Sequence, residues 1–142
     1  MQIINSLGKY ALVPLVFVQD AVAASQSAVA LKTQEVNVAA SNDTIAYTMP
    51  FAGEVIGVSL NLSVAGTLGT LTVQPTIATT VTTDPSASVT TAVVGSDKCK
   101  RGTNPFAANA AIGAKLTTDA TWDGITADLV VIVWVLLQIS GI

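Results

Sequence analysis

The sequence predicts an all-β fold, an antiparallel β-sandwich of seven or eight strands with an extended N-terminal arm. Three observations carry this. The polar residues are mostly Thr, Ser and Asn, while helix-favouring Glu, Lys and Arg are scarce. Short alternating apolar runs are separated by Gly, Pro, Asn and Asp turns, with no sustained helical period. The third is the run Leu129-Val130-Val131-Ile132-Val133-Trp134-Val135-Leu136-Leu137, continuing through Gln138 to Ile139. It is apolar at odd and even positions alike. A strand with one wet face alternates, so this strand is expected to be covered on both faces.

At 142 residues the chain fits one domain, read as residues 28–142, preceded by an arm over residues 1–27. Half of the residues are apolar and 11% are charged, well below the usual quarter. That balance argues against disorder and for a domain that hides part of its surface on other subunits. The net charge of −3 carries no nucleic-acid footprint. One cysteine, Cys99, excludes an intrachain disulfide. Its neighbours Lys98 and Lys100 would lower its pKa if it were exposed.

In chain order, the arm comes first. Lys9, the run Ala11 to Val18 and the Ala21-Val22-Ala23-Ala24 segment have the outline of a secretory signal, which Pro14 and Asp20 interrupt. Leu12, Val13, Leu15, Val16, Phe17 and Val18 would be sticky on a free tail, so they are expected to lie on a neighbouring subunit. A short helix over Ser25–Leu31 is weakly signalled. Strand signals begin with Leu31 to Val38, followed by a turn at Ser41-Asn42-Asp43. Ile45, Tyr47 and Met49 alternate with polar or small residues, and Pro50 to Gly53 makes a turn.

From Glu54 to Val64, Ile56, Val58, Leu60, Leu62 and Val64 face one way and Gly57, Ser59, Asn61 and Ser63 the other. Leu71, Val73, Pro75 and Ile77 then alternate with Thr70, Thr72, Gln74 and Thr76. With the Gly-rich link between them, the two runs predict a hairpin. Pro75 lacks an N–H, so its strand should be an edge or bulged there. Thr79–Ser88 reads as a loop, Val89–Val94 as a strand, and Gly102–Asn109 as a loop. Ile112 to Thr117 is another alternating strand, Thr118–Thr126 a loop, and Ala127–Ile139 the last strand. Val58, Leu60, Leu62, Leu71 and Val73, with Ile56, are expected to cover one face of that last strand, and the other face is left for a neighbouring subunit or the arm. The run is too short to span a bilayer as a helix, which needs about 20 residues, and no membrane is expected as a partner.

Chemistry-bearing residues are few. The chain has no histidine, so the usual triads and neutral-pH general bases are missing. No phosphate loop, dinucleotide fingerprint or zinc spacing occurs. No enzyme activity and no cofactor are expected. Asp119, Asp123 and Asp128 are calcium-type loop carboxylates in a spacing that matches no dedicated motif. Lys98, Lys100 and Arg101 make a compact basic cluster suited to an acidic partner or to docking. Trp122, in a loop, is a candidate partner contact. Val130, Ile132, Trp134 and Leu136 are candidates for a subunit interface.

Several stretches together resemble a family. They are Thr48-Met49-Pro50-Phe51-Ala52-Gly53-Glu54-Val55-Ile56-Gly57-Val58-Ser59, Gly69-Thr70-Leu71-Thr72-Val73, Asn104-Pro105-Phe106, Ile112-Gly113-Ala114-Lys115-Leu116-Thr117-Thr118-Asp119, and Thr126-Ala127-Asp128 leading into the apolar strand. Their order is similar to small β jelly-roll modules in virion structural proteins of tailed bacteriophages, over about two thirds of the chain. The resemblance implies a jelly-roll-like sandwich that acts as a capsid decoration (cement) protein. It would be a homotrimer bound to the major capsid protein on the capsid surface, assembled in the host cytoplasm. The alternatives are a fibre or receptor-binding module reading a bacterial glycan through Trp122 and Phe106, and a secreted polymer-forming protein.

Overall fold

The computed structural model describes residues 3–4, 9–33 and 45–139. Twelve strands, and no helix, occur among them. They are β1 (Ile3–Ile4), β2 (Tyr10–Gln19), β3 (Val29–Ala30), β4 (Ala46–Thr48), β5 (Gly53–Leu62) and β6 (Leu71–Ile77), then β7 (Thr80–Val81), β8 (Ala87–Val89), β9 (Val94–Lys98), β10 (Pro105–Phe106), β11 (Ala111–Thr118) and β12 (Leu129–Gln138). The expected strand over Leu31–Val38 and the turn at Ser41–Asp43 fall largely outside the described residues. The expected helix over Ser25–Leu31 is replaced by the short strand β3.

All pairings are antiparallel, in two sheets. The first runs β1-β2-β12-β5, with β9 and β10 sharing the far edge of β5. In the second, β3 and β4 share one edge of β11, β6 lies on its other side, and β7 and β8 share the far edge of β6. Each edge-sharing pair makes one lane, and β1 is an extra edge piece. Numbered along the chain, the lanes read one-eight-three-six in the first sheet and two-seven-four-five in the second. That order is a jelly roll, two sheets wound together so that consecutive lanes mostly lie in different sheets. The predicted sandwich is therefore present, and its jelly-roll character with it.

β12 is the central strand. It pairs with β2 from Leu129↔Gln19 to Gln138↔Tyr10 and with β5 from Leu129↔Leu62 to Leu137↔Gly53. Its odd positions, Leu129, Val131, Val133, Val135 and Leu137, are buried in the core. They are joined there by Leu15 and Phe17 of β2 and by Val55, Val58, Leu60 and Leu62 of β5. Cover comes from the opposite sheet and its flanks through Leu31, Leu71, Val73, Val89, Ile112, Ala114 and Leu116. Each such side chain contributes about 1.5–3 kcal/mol by leaving water. Val58, Leu60 and Leu62 were expected to cover β12. They flank it instead, because β5 is its neighbour in the same sheet.

Two other expectations are corrected. Leu62 and Leu71 end strands in different sheets, so residues 63–70 are a crossover between layers and not a hairpin turn. Both strands bury one face in one core, and alternation alone does not say from which side. The segment expected as an arm is extended, but Tyr10–Gln19 is a full strand of this chain's own sandwich. Leu15 and Phe17 point into the core and Val13 packs against it, while Leu12, Val16 and Val18 point outward. The boundary at residue 27 therefore does not divide arm from domain. Phe17 also meets Tyr47 edge-on at 5.4 Å, and the Tyr47 hydroxyl donates to the Val16 carbonyl at 3.1 Å, which closes one side of the sandwich.

The prolines sit where an N–H has no ladder to serve. Pro14 pairs with Trp134 on one side, and the described β1 ladder reaches only Ala11 and Leu12 on the other. Pro75 falls between the stretches of β6 paired with β8 (Leu71–Val73) and with β7 (Thr76–Ile77), where the outer lane breaks as its missing N–H requires.

If β2 is integral to the fold, its two faces should differ in energetic weight. Phe17→Ala should lower unfolding stability by about 3–5 kcal/mol in urea titrations. Val16→Ala, at a position 40% exposed, should cost less than about 1 kcal/mol.

Candidate interaction surface

The outward face of the first sheet follows from the register. Leu12, Pro14, Val16 and Val18 of β2 stand opposite Leu136, Trp134, Ile132 and Val130 of β12. On the other side, Val130, Ile132 and Trp134 stand opposite Asn61, Ser59 and Gly57 of β5, which in turn face Val94, Ser96 and Lys98 of β9. The face is thus apolar across β2 and β12 and turns polar across β5 and β9. Val16 and Val130 are each 40% exposed, and Leu12, Pro14, Val18, Ile132, Trp134 and Leu136 are half-buried. No described strand packs over it.

A bulge shapes the middle of this face. The β12–β5 register shifts between Trp134 and Val135, so that Val55 turns inward and Ile56 stays half-buried. Predicting Ile56 and Val64 with the inner series was incorrect for this reason at Ile56. At Val64 the strand has already ended, and that side chain is 51% exposed. Beside the bulge lies a depression of about 530 Å³, lined by Leu12, Ile56, Gly57, Ser59, Ser96, Lys98 and Trp134 among others. A β-carbon at Gly57 would stand 3.7 Å from the indole of Trp134 and 3.3 Å from the Asp97 carbonyl, so glycine keeps the flank of the ring open. Alternation placed Gly57, Ser59 and Asn61 on the outside, but nothing local showed that they border a concavity.

The basic cluster divides. Lys98 ends β9 at the rim of the depression, and Lys100 is exposed in the turn that follows. Arg101 is not held for a partner. Its Nε donates to the buried Glu54 carboxylate, whose other oxygen takes the Gly102 N–H, and its guanidinium lies 4.8 Å from the centre of the Tyr10 ring. The clasp ties the β9–β10 connection to the start of β5. Cys99 is half-buried with its thiol directed at the Val55 carbonyl, 3.3 Å away. Burial pushes its pKa up, against the lowering expected from the flanking lysines, and a hydrogen bond from Asn104 offsets only part of that.

Trp122 is not a surface residue. It is 2% exposed, and its Nε1–H donates to the Val22 carbonyl at 3.2 Å. The loop it anchors is stitched by aspartates. Asp123 accepts from the Thr67 N–H at 2.7 Å, the Leu68 N–H at 3.0 Å and the Thr67 hydroxyl. Asp119 accepts from the Thr70 N–H at 2.9 Å and from both the N–H and the hydroxyl of Thr121. Asp128 accepts from the Ala21 N–H at 3.2 Å, and its own N–H donates to Ser63 Oγ at 2.8 Å. These carboxylates cap loops, and no cluster with the spacing of a metal site occurs among the described residues. Gly69, at φ +81°, lets the β5–β6 loop pass directly over the Trp122 backbone. Phe106 is buried as well.

Compared with known proteins, the chain matches no family model and no curated sequence.

The Asp123 stitch has a pH signature. The Thr67 hydroxyl and the Leu68 and Thr67 N–H groups hold its carboxyl below the usual carboxylate range. A depressed folded pKa contributes stability that is present above the unfolded value of about 3.9 and lost as pH falls through the folded one. In an acid titration followed by amide NMR, the Thr67 and Leu68 resonances should hold their positions through the pH at which a free aspartate protonates and shift only below it. Asp123→Asn should abolish that late transition.

Proposed function

We propose that this chain is a non-enzymatic virion structural protein, a capsid decoration protein that docks on the shell lattice as an oligomer and reinforces it. The observation that carries this reading is the outward face of the first sheet. It places Leu12, Pro14, Val16, Val18, Val130, Ile132, Trp134 and Leu136 side by side on a rigid sheet. A contiguous apolar patch rimmed by polar residues is the usual mark of a protein–protein contact. The jelly-roll order supports the reading, since viral capsid domains use this architecture, although fold alone assigns no function. The absence of histidine from the sequence fits a role without acid–base chemistry.

In this reading the subunits form a homotrimer, bind the major capsid protein and stay on the capsid surface after assembly in the host cytoplasm. Reinforcement is mass action: each docked subunit stabilises the assembled lattice by its binding free energy. The contact is made by the face of β2 and β12 rather than by a reaching arm, because residues 10–19 are committed to the sheet. The fibre alternative loses its two loop aromatics, since Trp122 and Phe106 are both buried.

The test is cosedimentation with undecorated shells built from a major capsid protein encoded in a neighbouring reading frame. Saturable binding at lattice stoichiometry is expected. The variant Val16→Asn with Val130→Asn, which alters exposed positions only, should fold normally and bind at least about tenfold more weakly. Failure of the unaltered protein to bind such shells, or full binding by the variant, overturns the reading.

A further inference from the structure

Most of the described charges are sorted along the length of the sandwich, with Lys32, bridged to Val18, the exception at the acidic end. β2 and β5 finish, and β12 begins, at one end. That end carries Asp20, Asp119, Asp123 and Asp128, all exposed. The opposite end holds Lys100 and Arg101, with Lys9 just before β2, and Lys98 lies on the way to it at the rim of the Trp134 depression. Three acids lie near that end or on the way to it. Glu54 is matched to Arg101, the Asp84 backbone is tied to Asn104, and Asp97, which also lines the depression, accepts the Ser86 N–H.

The acidic end is also apolar at its tip. The β5–β6 and β11–β12 loops expose Val64 at 51%, Leu68 at 64% and Ile125 at 58%. These side chains do not ride on loose loops. Asp123 holds Thr67 and Leu68, the Ser63 N–H donates to the Asp128 carbonyl at 3.0 Å, and the Asp128 N–H donates to Ser63 Oγ at 2.8 Å. Gly66, Gly69 and Gly124 pack on buried Trp122, and at Gly69 and Gly124 a β-carbon would stand only 2.4 Å from it. A held apolar tip beside exposed carboxylates is thus matched, on the same chain, by a largely apolar depression with Lys98 at its rim and Asp97 in its wall, the Asp97 carboxylate taken up by the Ser86 N–H.

We propose that the loop tip of one copy, formed by Val64, Leu68 and Ile125, docks in the Trp134 depression of a second copy. Apolar surface meets apolar surface, and the tip carboxylates meet Lys98 and Lys100. A face-to-face pairing would instead oppose two Lys98 rims and leave both tips in water. The contact is heterologous: each copy uses its tip on one neighbour and its depression on another. It closes into a ring where the rotation permits and otherwise propagates as a filament. This rests on reading the chain as an assembling subunit and adds which two surfaces meet: the tip takes the Trp134 end of the face beside β5 and β9, and Val16, Val18 and Val130 are left to the shell.

The experiment is sedimentation velocity on the full chain. One variant is Leu68→Asp with Ile125→Asp at the tip, and the other Ser96→Glu with Lys98→Glu at the rim, each checked for native circular dichroism. The unaltered chain should self-associate, more weakly as salt rises from about 50 to 500 mM. Each variant alone should lose at least about tenfold in affinity. An equimolar mixture keeps one intact tip and one intact depression per pair, so it should recover a dimer and nothing larger. Self-association of the tip variant equal to that of the unaltered chain, or a mixture without dimer, overturns the proposal. So does an unaltered chain that is monomeric at about 100 μM, well above the micromolar affinity of a modest interface. Shells binding such a monomer would leave the decoration reading standing.

Discussion

A long strand that is apolar on both faces must have hydrogen-bonding neighbours on both edges and something over each face. β12 is that strand, and the rest of the molecule answers its requirements one at a time. β2 and β5 satisfy its two edges over nearly its whole length. The second sheet covers its odd side chains, and the unbroken ladder with β2 then fixes the even ones on the opposite surface. Parity runs unbroken along β12 itself, so Val130, Ile132, Trp134 and Leu136 share the face opposite the core. The outward apolar face follows from the centrality of β12.

The strands were largely legible in the sequence because alternation reports burial directly. Sheet membership was not. The runs from Glu54 and from Leu71 carry the same one-faced pattern, and a pattern of period two is identical for a hairpin and for two strands facing each other across a core. The eight residues from Ser63 to Thr70 are longer than a tight turn needs and suit the roughly 10 Å step between layers. β2 was missed for the opposite reason. Ala11 to Val18 is apolar at both parities, as β12 is, so it shows no alternation, and Pro14 reads as a break. The feature that identified the central strand also marked its neighbour, and Pro14 is tolerated because the described ladder on its outer side has ended before it.

Charge scarcity pointed toward hidden surface, and the structure adds a second use for the charges that are present. Glu54, Asp97, Asp119, Asp123 and Asp128 all accept backbone N–H groups of this chain. They organise loops that have no other ladder to join, as short acidic side chains do at turns. The role of the basic cluster depended on which of its members had an internal partner, and that partner, Glu54, lies 47 residues away in sequence. Spacing could not show it. Trp122 is the same kind of case: a loop tryptophan looks available, yet three glycines and the Val22 carbonyl make it the loop's interior.

The partition of β12 bears on when assembly could occur. The odd face is dry, and its core is completed by side chains of the same chain, from Leu15 to Leu137. Folding therefore does not wait for a partner. The outward face is different in kind. On β2 and β12 its most exposed apolar members retain only 40% of their surface, and it grades into Ser59, Asn61 and Ser96 instead of ending in a fully apolar border. Obligate interfaces resemble a core cut in half, whereas this surface has the mixed character of contacts made between already folded proteins. Under the proposed decoration role, a subunit built this way would fold first and dock second, which is the order that addition to a completed lattice demands.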